Sequence, residues 1–231
     1  MEVRTALGSN SLYTKIYFSA SCKCIGQLWF YRFNNDYFSH CTVYIFKQPR
    51  QKKIGITKPQ KYSWLLIALV LGLVASILLY FLGKGLYGNS NHNWYNYIGK
   101  SYDIPKEIKP GDKTILFIIM TFTGMTFSLM GEELFFRGIL RSSFEKSIGE
   151  KKASIADSAA FACTHISHFG LVFTNNKWDS YTTPTLIWVA SMFLVSILFF
   201  VCRKYSGSIL GAVICHSAFN LGMIYCIFYP M

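Results

Sequence analysis

The chain has 231 residues, of which 52% are hydrophobic, 17% aromatic and only 15% charged. A soluble domain carries about 25% charged residues, so this composition excludes an ordinary soluble enzyme and points to a membrane protein of one domain. The net charge of +12 raises nucleic-acid binding, but the placement of the charge argues against it. Residues 1–62 carry ten Lys/Arg against two acids, and Lys47, Arg50, Lys52, Lys53, Lys58 and Lys61 crowd the approach to the first apolar stretch. Such a flank holds a first helix's N-terminus in the cytoplasm and suits anionic lipid rather than nucleic acid.

In chain order, residues 1–46 mix aromatics, Ser, Asn and Cys without sustained periodicity. They read as a poorly defined extension with a membrane-lying piece around Ile25–Phe33. Residues 1–62 together form a basic N-terminal extension without an assigned function, and 63–231 form the transmembrane helical domain. Ser63–Gly83 is uncharged and almost wholly apolar, close to the roughly 20 residues that a spanning helix needs. Residues 84–112 read as a polar connection broken by Gly85, Gly88, Pro105 and Pro110. A second span runs from about Lys113 through Met130 and continues as helix into Glu132–Phe144. A third, weaker segment covers about Ala153–Phe173, a fourth Thr183–Cys202 and a fifth Ser208–Tyr229. The expected fold is therefore all-α, a polytopic bundle of about five apolar helical segments in the cell membrane. The basic residues place the N-terminus inside and the C-terminus outside.

The seven cysteines (22, 24, 41, 163, 202, 215 and 226) show no paired CxxC spacing. The last four fall in apolar segments, where a thiol behaves as a small hydrophobe. No disulfide framework is expected.

Ionisable groups inside a membrane are costly and mark function by default. One cluster is Gly131-Glu132-Glu133-Leu134-Phe135-Phe136-Arg137-Gly138. Adjacent carboxylates at the end of an apolar helix repel, so at least one needs a cation or a raised proton affinity. Arg137 follows Glu133 by four residues and can pair with it on one face. Glu132 is turned about 100° away and is freer to act as a base; a plain helix-end ion pair is the other reading. A second cluster is Phe161-Ala162-Cys163-Thr164-His165, where Asp157, Phe161 and His165 share a face; a packing histidine is the alternative. His168, three residues on, lacks the HExxH spacing of a zinc protease and is left out of the site. The third cluster is His216-Ser217-Ala218-Phe219-Asn220, with His216 and Asn220 on one face, or else simply an interhelical hydrogen-bonding pair. Ala218 and Gly222 would allow close helix approach.

Depth links the three clusters. At about 1.5 Å per residue, Glu132 lies about 13 Å from Arg141, His165 about 20 Å from Lys152 and His216 about 18 Å from Lys204. The three clusters can therefore meet in one cavity reached from the cytoplasmic side.

The ordered set EExxxR (Glu132, Glu133, Arg137), FxxxH (Phe161, His165) and HxxxN (His216, Asn220) resembles the CPBP family of CAAX-protease and bacteriocin-processing intramembrane endopeptidases. The resemblance covers about residues 113–222. It implies hydrolysis of a peptide bond in a membrane-associated protein or peptide, with water activated by Glu132 and His165. It further implies an oxyanion stabilised by His216 and Asn220, and Glu133 with Arg137 as an orienting pair. No cofactor is expected; zinc is the lesser alternative, because Asn220 beside His216 suits oxyanion binding better than metal ligation. The expected partners are a membrane peptide substrate and the bilayer, not nucleic acid. A catalytically silent scaffold of the same family is the rival reading.

Overall fold

The computed structural model describes residues 48–231 except 103, 106, 171, 175 and 176. The chain divides into two compact units, Met1–Arg50 and Gln51–Met231. The first lies almost wholly outside the described residues, as do the readings of residues 1–46; the fold below is that of the second.

The end of α1 (Gln48–Ile54) leads into α2 (Ser63–Tyr87), α3 (Trp94–Lys100) and α4 (Pro110–Met125). Next come α5 (Phe127–Glu133), a π turn (Leu134–Leu140), α6 (Arg141–Ile148) and α7 (Glu150–Thr164). A 3-10 turn (His165–Ser167) and a hairpin of β1 (Val172–Thr174) and β2 (Lys177–Asp179) lead to α8 (Thr182–Ser206) and α9 (Ile209–Phe228). The hairpin pairs Val172 with Asp179 and Thr174 with Lys177, a minor β element in an all-helical bundle.

Four helical runs are long and apolar enough to cross a membrane: Ser63–Tyr87, Pro110–Ile148, Thr182–Ser206 and Ile209–Phe228. Leu66, Leu78, Ile118, Phe122, Leu186 and Leu194 stand exposed on them, as lipid-facing residues do. The multi-pass membrane character read from composition holds.

Helix α9 is central. It runs parallel to α2, because Gly72 meets Cys215 and Ala218 while Ser76 meets Gly222. A Cβ at Gly72 or Gly222 would collide with the partner helix, so these glycines set the approach distance; where lipid is as apolar as the helix, such close packing is the main attraction available. Along α4–α6, α9 runs antiparallel: Phe117 meets Phe228, Gly124 meets Ile224 and Gly138 meets Ile209. Against α8 it is antiparallel as well, with Phe199 stacked on His216 and Gly211 against Cys202.

Three elements differ from the sequence reading. The third segment does not run as helix to Phe173. Helix α7 ends at Thr164, the 3-10 turn follows, and the Trp188 indole N–H donates to the His165 carbonyl at 2.9 Å. The stretch His165–Gly170 carries two histidines, a serine and a glycine, too polar to continue an apolar span. Glu150 pairs with Lys204 at 3.1 Å, so α7 lies antiparallel to α8, but it is not among the four runs long and apolar enough to cross a membrane. The connection 84–112 also contains buried structure. Asn93 caps α3, accepting from Tyr95 N at 3.0 Å, and Trp94, Tyr95 and Ile98 are buried. Residues 51–62, assigned by their charge to the N-terminal extension, pack within the helical unit. Gln60 N donates to Ser206 O at 2.8 Å, Ile209 N to Gly55 O at 2.8 Å, and buried Ile54 lies against Gly138.

Candidate functional site

The second span is one apolar run in sequence but two unequal pieces in space. Helix α4 stops at Met125, with Thr126 at φ −111° and ψ −76°. Thr123 and Thr126 donate their hydroxyls back to the carbonyls of Ile119 and Phe122 at 2.9 and 2.7 Å, bonds that bend helices. Carbonyls released by a break inside a membrane need new donors, and α9 supplies them: Asn220 Nδ2 donates to Gly124 O at 3.0 Å and Ser217 Oγ to Met125 O at 3.3 Å. The next irregularity is the π turn, with Arg137 at its centre. Such turns insert an extra residue per loop and recur at functional sites.

These two irregularities bracket a buried charge cluster. Arg137 Nη1 lies 3.2 Å from Glu133 Oε1, and both side chains are fully buried. The guanidinium also donates from Nη2 to Ser196 Oγ at 2.8 Å. Its carbon stands 4.2 Å from the centre of the Phe161 ring and 5.2 Å from that of Phe199. An ion pair taken out of water needs good geometry and further partners to offset desolvation, and the hydroxyl and aromatic faces provide them.

His216 completes the cluster. A carboxylate only accepts, so Nδ1–H of His216 donates to Glu133 Oε1, at 2.8 Å. The ring lies against Phe199, with centroids 4.5 Å apart. That bond fixes the tautomer: Nε2 carries a lone pair in the neutral ring and a second donor in the imidazolium.

His165 is held differently. Its Nδ1 lies 2.9 Å from the Phe161 carbonyl, which can only accept, so Nδ1 carries the proton and Nε2 of the neutral ring is the basic atom. Its ring is 4.3 Å from that of Phe161 and stacks on His168 at 5.1 Å. The Phe161 ring also meets His216 edge-on at 5.6 Å. One buried aromatic thus touches Arg137, His165 and His216, which explains why FxxxH belongs with the other two motifs.

The structure therefore brings together Glu133, Arg137, His216 and, through Phe161, His165. Glu132 is half-buried at the end of α5, next to Glu133. Asn220 is one turn beyond His216, and the contact shown for its amide is at the break in α4. Among the described residues no three His, Cys, Asp or Glu side chains gather as a metal ion would need.

Several partners were not foreseen. Ser196 and Phe199 of α8 look in sequence like any residues of an apolar span. A hydroxyl at such a depth was the one available signal, but Ser191 carries the same signal and merely bonds its own helix at Ile187 O, 2.7 Å away.

No curated protein and no solved structure matches the chain. Residues 114–222 match the family described as type II CAAX prenyl endopeptidase Rce1-like. The matched segment opens in α4 and closes in α9, so it contains Glu132, Glu133, Arg137, His165, His216 and Asn220 together. Over that segment, a little under half of the chain, the protein is similar to the CAAX-protease-like family of membrane proteins.

Proposed function

We propose that the bundle is an intramembrane endopeptidase of the cell membrane, cleaving a membrane-associated protein or peptide by water activated between Glu132 and His165. The observation that carries this reading is the Glu133–His216–Arg137 cluster beside a histidine whose basic nitrogen is defined. The lone pair on His165 Nε2 and the Glu132 carboxylate can take the two protons of one water. Glu132 accepts a proton as the water oxygen adds to the scissile carbonyl, and returns it to the departing amine as the C–N bond breaks. His216, in its imidazolium form beside Glu133, donates from Nε2 to the developing oxyanion. The second N–H of Asn220 is the other candidate donor. Arg137 holds Glu133 aimed at His216.

A silent scaffold draws support from one contact, the Asn220 amide on Gly124 O, which is a structural task. One comparison separates the two: cleavage of membrane peptides by the wild type and Glu132→Ala, with and without chelator. The enzyme reading expects cleavage by the wild type only, unchanged by chelator. Cleavage by neither protein supports the scaffold, and cleavage lost to chelator and restored by zinc supports a metalloprotease.

A further inference from the structure

Arg203, in the last turn of α8, is a buried cation without a counter-charge. It is 9% exposed, and its Nε lacks a hydrogen-bond partner among the described residues. No acid among them lies within ion-pair distance of it. Glu145 and Glu150 are taken by Arg141, at 3.4 and 3.3 Å, and Glu150 also by Lys204, at 3.1 Å. Of the deeper acids, Glu133 serves Arg137 and His216, and Asp157 Oδ1 accepts from Ser158. A cation withdrawn from water is costly unless a partner offsets it.

The guanidinium nevertheless has a built seat. It lies against Gly55, where a Cβ would stand 2.9 Å from Nη2, 3.0 Å from Nε and 3.3 Å from Cζ. Gly55 has φ +88°, which other residues adopt only with strain. Its loop is pinned to the turn between α8 and α9. Ile209 N donates to Gly55 O at 2.8 Å, Thr57 Oγ1 to Gly207 O at 2.9 Å and Ser208 Oγ to Thr57 O at 2.6 Å. A second guanidinium stands beside the first. Arg141 is 4% exposed and lies over the Phe200 ring at 5.0 Å, one turn before Arg203 on α8; its Nε is unpartnered as well. Lys204 reaches the same Glu150 as Arg141.

Two buried arginines and a lysine therefore meet where the membrane-crossing α8 ends, at the level where lipid headgroups begin. Basic pockets between helices at that level suit phosphate-bearing headgroups. The guanidinium fork matches phosphate geometry, and a phosphate carries enough acceptor oxygens to meet both forks and an ammonium.

We propose that Arg203, with Arg141 and Lys204 at its rim, forms the floor of a phosphate-binding site at the membrane surface, its ligand the phosphate of an anionic lipid headgroup or of a soluble phosphate ester. The site is independent of whether the bundle cleaves peptides.

The test uses the full chain in lipid nanodiscs and reads the unfolding midpoint and, by native mass spectrometry, the lipid retained. With phosphatidylglycerol replacing half of the phosphatidylcholine, the wild type is expected to unfold at a higher temperature and to retain phosphatidylglycerol. Arg203→Gln should bind it at least about tenfold more weakly, because hydrogen bonds between charged groups are the strong ones. Arg203→Lys, which keeps the charge and loses the fork, should fall between. Lys52→Gln removes an exposed cation of α1 and measures the general attraction of a basic face for an anionic bilayer; it should change binding less than about twofold. Inorganic phosphate added to phosphatidylcholine nanodiscs separates the two sources. A midpoint raised by phosphate and insensitive to it in Arg203→Gln assigns a soluble ligand; a response to phosphatidylglycerol alone assigns the lipid. A wild type that responds to neither, or equal losses in Arg203→Gln and Lys52→Gln, overturns the proposal. If Arg203→Gln does not fold, Arg203→Lys decides, and binding as tight as the wild type's overturns the proposal.

Discussion

The seam between α2 and α9 and the cluster around Glu133 are both interior, yet they are built on opposite terms. The seam consists of Gly72, Ser76, Cys215, Ala218 and Gly222, small side chains that bring two parallel helices into backbone contact. The cluster consists of Glu133, Arg137, Ser196 and His216, charged and polar groups enclosed by Phe161 and Phe199. The seam needs no donors, and its helices stay regular. The cluster sits between a broken helix and a π turn. Helix α9 belongs to both, showing Gly222 to α2 and His216 to Glu133. The contrast teaches that the seam supplies a close-packed wall against which an irregular, polar element can be held.

Substitutions on the two sides should fail in different ways. The largest effect should come from Glu132→Gln and His165→Ala, each lowering cleavage by about 10²–10⁴-fold, the usual range for loss of a general acid–base group. Both proteins should insert and unfold like the wild type in a thermal scan; full turnover by Glu132→Gln would break the assignment. Arg137→Met should cost stability as well as activity. Removing one partner of a buried ion pair typically costs about 3–5 kcal/mol, measurable as a large drop in the unfolding midpoint, whereas an unchanged midpoint would show that Glu133 is not left as a buried charge. Gly222→Val tests the seam alone. Overpacking costs about 1–3 kcal/mol, so stability should fall while the Nδ1 signal of His216 in ¹⁵N spectra keeps its Glu133-bonded form. Loss of that signal would couple seam and cluster more tightly than the contacts suggest. Asn220→Ala should cost about 1–3 kcal/mol of stability for leaving Gly124 O unsatisfied. Its cleavage should exceed that of Glu132→Gln, and equal losses would place the amide among the reacting groups.

Much of this was legible from residue type and spacing. Glu133 and Arg137 four apart do form the expected pair, because a four-residue interval stays on one face even where the turn widens. Ala218 and Gly222 do permit close approach. Partner choice was less legible. His216 was read with Asn220 because they share a face, but His216 turns to Glu133 and Asn220 to Gly124, one turn apart on the same helix. Periodicity specifies a face; it does not specify which atoms of another helix lie opposite at each level.

Sequence by itself determined the membrane class, the order of the apolar segments and the three polar clusters. These depend on local quantities: hydropathy over about 20 residues and the angular repeat of a helix. Only the tertiary structure decided where the third segment stops being helical, that α2 and α9 run side by side, and that Phe161 is the wall shared by both histidines. Those outcomes depend on residues far apart in the chain, such as Trp188 reaching the His165 carbonyl and Ser217 reaching the break at Met125. In lipid an unmet carbonyl is too costly to leave unpaired, so the distant donors that satisfy it determine where a helix can break.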